Sequence, residues 1–476
     1  MESSVWPSHY EIAFEPDLKT FTFHGKETVQ LNIKKLTSGV ALNAADIKII
    51  DCYLVHKGET INVSIDLNGK KEELQVKFSK KVKGNATLFI DFEGNLNDNL
   101  AGFYRSKYRD PTGTTKYLAT TQFEAADARR AFPCWDSPEY KATFTISLIL
   151  DSKLTAISNM PELEIRNISK NKKIIKFDRT PPMSTYLVYV GVGEFEFLEN
   201  KLNDVKLRVA TTFGKKNQCN LAMGYLKKFL DFYQHYFQIS YPLPKLDLIA
   251  LPDFAAGAME NWGAITFREA ALLYDSKTSS IATKQRIAEI ISHELAHQWF
   301  GNLVTMKWWN DLWLNESFAT FIANKSIEYF YPTWDIWSQF LNSTTLPALE
   351  LDALKTSHPI EVDVRTPSQI REIFDAISYN KGGSILKMLE VYLGEEIFRQ
   401  GLKAYLLNNR YGNATTENLW STLEKVSRKP IKKIMDTWIN QTGYPLVDVN
   451  VKNSELILKQ RKFLLERRVK NDKSIW

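Results

Sequence analysis

The sequence predicts a multidomain α+β chain from three features met in order along it. Alternating apolar and polar residues dominate residues 1–193, helical spacing dominates 194–440, and a short pair of strands follows within 441–476. A length of 476 residues allows two or three domains with ample core. The 44% hydrophobic and 24% charged content is that of an ordinary folded chain, not of a disordered one.

In the first region, residues 10–14, 28–33 and 141–148 alternate as half-buried strands do, and the region closes near 183–191. After an initial strand-rich portion, the second region turns helical. Ile287, Ile290, Ile291 and Leu295 recur at helical spacing, Ser279 and Ser280 offer N-caps upstream, and Gly301 sits where a helix would stop. A second helix reads through Trp313, Leu314, Phe318, Phe321 and Ile322 until Tyr331-Pro332 ends it. Beyond Gly443-Tyr444-Pro445, residues 446–451 and 455–460 read as two strands around a turn at Asn453-Ser454, and two strands alone are marginal in water.

Chemistry concentrates on the two helices. His293 and His297 lie four residues apart, one helical turn above each other, so both imidazoles reach a single ion while Glu294 leans over the same face. Glu316 on the second helix supplies a third ligand. Three protein ligands leave a zinc position open for water, whereas a structural site closes its shell, so the pattern predicts a hydrolytic centre with one zinc per chain. Water on such a zinc has a pKa of roughly 7. Glu294 would accept the proton of that water and pass it to the leaving amine. Trp299, Trp308, Trp309 and Trp313 are assigned to packing beneath these helices. Asn310 and Asp311 are both placed to orient a zinc histidine, with nothing in the sequence to choose between them.

At Gly257-Ala258-Met259-Glu260-Asn261-Trp262-Gly263 the chain resembles the gluzincin aminopeptidase family, which includes aminopeptidase N, puromycin-sensitive aminopeptidase and the leukotriene hydrolases. That family carries a GxMEN segment upstream of HExxH, then a third-ligand glutamate separated from the second histidine by a fixed gap that positions 298–315 reproduce here. The resemblance implies that Gly257, Ala258, Met259, Glu260 and Asn261 bind substrate. Glu260 would hold its free α-ammonium, so that only the first peptide bond reaches the metal. Gln122 and Glu124 resemble the family's second amine-binding segment, and the run 125–136 after them is family-like too. Taken without the resemblance, Glu124 is one acidic residue among many. Segment 374–382 resembles the family segment whose tyrosine hydrogen-bonds the tetrahedral intermediate, which assigns Tyr379 as a catalytic group.

The resemblance also implies an architecture. An N-terminal antiparallel β-sandwich or saddle would occupy 1–193, a thermolysin-like, mainly helical catalytic domain 194–440, and the incomplete start of a small β-sandwich domain 441–476. Larger members continue into a long helical domain. Truncation, a split gene and a natural short form all fit an end at Trp476, and a missing C-terminal half or a larger proteolytic complex is the macromolecular partner expected. The archaeal tricorn-interacting aminopeptidase factors are the members most similar in N-terminus and centre.

Net charge and cysteines narrow the surroundings. A formal charge of +6 is modest, and Lys70-Lys71, Lys80-Lys81-Val82-Lys83 and the stretch 461–473 read as solvated faces, so no nucleic-acid partner is expected. Cys52, Cys134 and Cys219 are odd in number, far apart and without CxxC spacing, which fits a reducing cytoplasm. Residues 1–7 lack an apolar signal core, and no run approaches the roughly eighteen apolar residues of a membrane span, so no membrane partner is expected. The reading that absorbs every motif is a zinc aminopeptidase acting on peptides with a free N-terminus. Two other classes stay beside it: an epoxide hydrolase of the leukotriene type, which shares the metal site, and a catalytically weak or split-chain fragment acting as a binding or assembly subunit.

Overall fold

A computed structural model of the chain describes residues 4–465 and 474–476. The basic stretch 461–473 therefore lies outside the described residues from 466 onward, as do residues 1–3 of the N-terminal segment. The chain forms two compact units, Met1–Asp231 with Tyr241–Glu294, and Phe232–Ser240 with Leu295–Trp476. It passes from the first to the second inside the helix Ile281–His297.

In the first unit, an eight-stranded sheet runs in the spatial order Glu162–Asn167, Lys172–Phe177, Thr143–Asp151, Val5–Asp17, Thr22–Asn43, Glu73–Asn95, Ile47–His56, Glu59–Asn68. The strands read at 10–14 and 28–33 lie in two of these, which run longer because bulges let them bend and stay paired, and the strand read at 141–148 begins two residues later, at Thr143. The register shifts between Pro7 and His9 and between Ile33 and Gly39. Period-two alternation puts Phe23, Val29, Leu31 and Ile33 of one strand in the core. There Phe14 meets Phe23, Phe92, Phe103 and Phe132 edge-on with centroids 5.6–6.3 Å apart. A four-stranded sheet follows, ordered Gly102–Arg109, Thr115–Gln122, Val190–Gly193, Thr155–Ser158.

The third sheet of this unit carries the segment 257–261, expected from the sequence to bind substrate. Its order is Phe195–Leu202, Val205–Thr212, Lys245–Leu251, Ala264–Arg268, Ala258–Met259. Lys245–Leu251 is flanked by parallel neighbours on both sides and buried at every position, as an apolar run in a parallel sheet should be. The two-residue strand Ala258–Met259 is left at the edge.

The second unit is mainly helical. Its helices include Trp313–Phe330, Gly382–Leu393, Glu395–Asn409, Thr416–Ser427 and Ile431–Ile439. Pro332 follows the first of these, where the sequence places its end. Pro445–Lys452 pairs with Glu455–Lys462 as a hairpin, and Asn453 and Ser454 at its tip both take positive φ, 50° and 63°, as a two-residue connection requires. Among the described residues, no helix is long and apolar enough to cross a membrane.

Candidate metal centre

The helix Ile281–His297 begins where Ser280 Oγ accepts the amide of Thr283 at 3.1 Å, a side-chain cap on an otherwise orphaned donor. Ile287, Ile291 and Leu295 bury one face. His293, Glu294 and His297 occupy its last turns, Glu294 and His297 buried and His293 half-buried. The helix stops at His297, four residues before the expected Gly301, which lies in the following turn at φ 128°, where a Cβ would stand 3.3 Å from His297 Nδ1.

The tautomer of His297 follows from its neighbours. Nδ1 lies 2.9 Å from the Phe300 carbonyl oxygen, which can only accept, so Nδ1 carries the proton and Nε2 the lone pair. That lone pair faces Glu316 Oε2 at 3.4 Å. Two lone pairs so close repel unless a proton or a cation lies between them. His297 and Glu316 offer donor atoms within 4.8 Å of each other, and His293 stands one turn earlier on the helix Ile281–His297. Two imidazoles and one carboxylate are the donor set of open, hydrolytic zinc sites, so these residues fit zinc. Glu316 also sits in the first turn of Trp313–Phe330.

Of the two residues offered for orienting a zinc histidine, Asp311 is engaged elsewhere. Asp311 Oδ1 instead accepts the Thr416 hydroxyl at 2.6 Å, pinning the start of a later helix. The Phe300 carbonyl does the orienting, and it is located by the Phe300 ring, which stacks on Phe318 at 4.5 Å with an interplanar angle of 1°. A backbone acceptor has no residue-type signature, so the sequence does not display it. Trp299, Trp309 and Trp313 are buried to 1% exposure or less, and Trp308 Nε1 donates to Val364 O at 2.7 Å, so all four are packing or anchoring residues.

Within the first unit, three carboxylates gather. Glu124 and Glu260 offer oxygens within 4.8 Å of each other, as do Glu260 and Glu294. Glu260 is 3% exposed, so this negative charge is concentrated away from bulk water. The segment before Glu260 emerges gradually: Met259 is buried, Ala258 half-buried and Gly257 exposed along the edge strand, with Gly257 O accepting the amide of Arg268 at 3.0 Å. Asn261 Nδ2 donates to Thr266 Oγ1 at 3.2 Å, tying the turn to the neighbouring strand. Gln122 ends the strand Thr115–Gln122, and its Oε1 is buried with no hydrogen-bond partner among the described residues.

Tyr379 lies in the second unit, in a wide turn over Ile377–Lys381. Ser317 Oγ donates to Ser378 O at 2.6 Å, so the residue after Glu316 grips the residue before Tyr379. Gly382 makes that approach possible, since a Cβ there would fall 1.8 Å from Ser317 Oγ. Asp375 Oδ1 accepts the amides of Ile377 and Ser378 at 2.9 and 3.2 Å, and Lys381 pairs with Asp352 at 2.8 Å. Both ends of the segment are thereby fixed.

Comparison with known proteins gives the same outline. Residues 6–187 match the peptidase M1 N-terminal domain and residues 221–438 the peptidase family M1 domain. Aminopeptidase M1-C of Oryza sativa subsp. japonica is 47% identical over 461 residues, 96% of this chain and 52% of its own length. Aminopeptidase M1 of Arabidopsis thaliana is 46% identical over 465 residues, covering 96% and 53%. A Saccharomyces cerevisiae protein named Aminopeptidase 2, mitochondrial, is 44% identical over 479 residues, covering 99% and 50%. The chain spans about half the length of the curated relatives it matches.

Proposed function

The chain belongs to peptidase family M1, and from that premise we propose that it is a zinc-dependent aminopeptidase, removing residues one at a time from peptides with a free N-terminus. The observation that carries this reading is the pairing of Glu124 with Glu260 beside Glu294. A hydrolytic base has two further carboxylates at hand, and a cationic amine is the ligand that such a concentration of negative charge attracts.

His293, His297 and Glu316 would hold the metal. Zinc there supplies Lewis acidity, polarising the scissile carbonyl and acidifying water. Glu294 accepts the proton of the attacking water and returns it to the departing amine. Tyr379 donates its phenolic hydrogen to the oxygen on which charge develops, an interaction that strengthens only toward the transition state. Glu260, with Glu124 and Gln122, anchors the α-ammonium, and the open edge at Gly257-Ala258 offers main-chain groups for an extended peptide. Fixing the amine fixes which peptide bond meets the base, which makes the enzyme an exopeptidase.

We place the protein in a reducing compartment, the cytoplasm. Cys134 and Cys219 are buried thiols and Cys52 is half-buried, all three free. The reading as a whole is tested with a panel of aminoacyl fluorogenic amides and their N-acetylated counterparts, assayed with chelator and after zinc is restored. Free-amine substrates should be cleaved, chelation should stop the reaction and zinc should restart it. Equal cleavage of acetylated peptides would overturn the exopeptidase assignment.

A further inference from the structure

Beneath the turn that carries Glu260 lies a buried charge network that takes no part in the chemistry above. Lys245, 2% exposed, donates to three oxygens: Ser158 O at 2.6 Å, Gly263 O at 2.7 Å and Asp247 Oδ2 at 2.7 Å. An ammonium has three N–H groups, and each meets an acceptor. Arg208 grips both oxygens of Asp247 at 2.7 Å and reaches Glu162 at 3.4 Å. Such a buried set is a costly way to stabilise a core, where apolar side chains of the same volume serve as well or better. Its position suggests a different use.

The network holds the loop from below. Gly263 sits at φ 77°, and a Cβ there would come within 2.4 Å of Asn159 O. Asn159 Nδ2 donates to Trp262 O at 2.9 Å, and Ala264 N closes the turn onto Asn261 O at 2.9 Å. The carbonyls of Trp262 and Gly263, immediately downstream of Glu260 and Asn261, are therefore both tethered to the scaffold.

We propose that Lys245 is a positioning residue for ammonium recognition, fixing the 260–263 turn so that Glu260 meets the substrate amine. The proposal rests on the aminopeptidase reading and names the group that sets its amine affinity. The charge of Lys245 makes it sensitive to pH. Burial pushes its ammonium down to about 8, with Asp247 opposing the shift and Arg208 adding to it. The groups that face the network are Arg208 on the neighbouring strand, Glu162 beyond it, Tyr241, whose hydroxyl donates to Lys245 O at 3.2 Å, and Tyr189, which feels Asp247. A neutral amine has two N–H groups and a lone pair for the same three acceptors, so one tether turns repulsive as pH rises past that value.

The test compares the full chain with its Lys245→Met variant, both loaded with zinc. Substrate α-amines titrate in the same range, so the probe is phenethylamine, an alkylammonium that stays charged to about pH 9 much as a lysine does. Its binding is followed by calorimetry from about pH 7 to about pH 9, beside KM and kcat for an aminoacyl amide. Loss of charge-assisted hydrogen bonds should raise Kd and KM in the variant by about tenfold to a hundredfold, with kcat and bound zinc little changed. Wild-type affinity should fall as pH passes about 8 while that of the variant stays flat. Equal amine affinity in the two proteins overturns the proposal, and so does a flat wild-type profile, which decides alone if the variant does not fold. A wild type that binds no amine and cleaves acetylated peptides as well as free ones sinks the aminopeptidase reading itself.

Discussion

Each residue at the candidate metal centre has a role that a single substitution separates from the others. His293→Ala or Glu316→Ala removes one of three ligands, and both variants are expected to lose zinc and hydrolysis together; a full zinc complement by metal analysis would take that residue out of the set. Glu294→Gln keeps its shape but cannot take a proton at neutral pH, so zinc should remain while turnover almost disappears. Tyr379→Phe is expected to lower kcat by about a hundredfold to a thousandfold with a smaller change in KM. Away from the site, Glu27 is 2% exposed in the core-facing row of its strand, and neither carboxylate oxygen has a hydrogen-bond partner among the described residues. Burial pushes its carboxyl well above the ordinary 4.5, so the folded chain keeps a proton that the unfolded chain releases. That contribution is fully present below the unfolded value and is lost as pH rises. Glu27→Gln should match the parent in Tm near the ordinary carboxyl pKa and exceed it increasingly toward alkaline pH, by at most about 1.4 kcal/mol per pH unit. Parallel Tm curves for the two proteins would show that Glu27 does not titrate there.

At the scale of elements, the segments proposed as catalytic depend on close approach. Gly382→Ala would drive a methyl group into Ser317 and push the Tyr379 turn off the helix that carries Glu316. Overpacking of this kind costs about 1–3 kcal/mol. The expected signature is a lower Tm joined to a fall in kcat, and a variant with unchanged kcat would show that the Ser317 contact does not set Tyr379. The helices themselves were legible: the Ser280 cap, the apolar spacing from Ile287 to Leu295 and the Pro332 stop are all local signals. Gly382 was not, because its requirement comes from a serine far away in sequence.

For the molecule as a whole, the hairpin Pro445–Lys462 presents an uncovered apolar face. Val449 pairs with Leu458 and Val451 with Leu456 across it, and all four are 59–74% exposed. Exposed apolar strands with open edges invite association. The chain alone should therefore self-associate at high concentration, and Val449→Lys with Leu458→Lys should lower its mass by light scattering toward that of the monomer. A parent that stays monomeric across the range, or a doubly substituted chain that associates as strongly, would remove this face from the account. The relatives are about twice as long.

The sequence by itself determined the class of fold, the succession from strands to helices, and the candidate ligand pair His293 and His297, because these rest on periodicity and on spacing within one helix. Glu316, Glu260, Glu124 and Tyr379 were reachable through the motifs around them. Only the tertiary structure decided that a carbonyl, Phe300 O, selects the tautomer of His297, and that Ser317 holds the Tyr379 turn. It alone showed what Lys245 and Asp247 bond to. Two charges in an otherwise apolar strand share one face and could have drawn notice as a pair, but their partners Arg208, Ser158 and Gly263 arrive from other segments. Spacing along a chain reports contacts within an element, whereas hydrogen bonds to distant backbone and the room left beside a glycine exist only once the elements have packed.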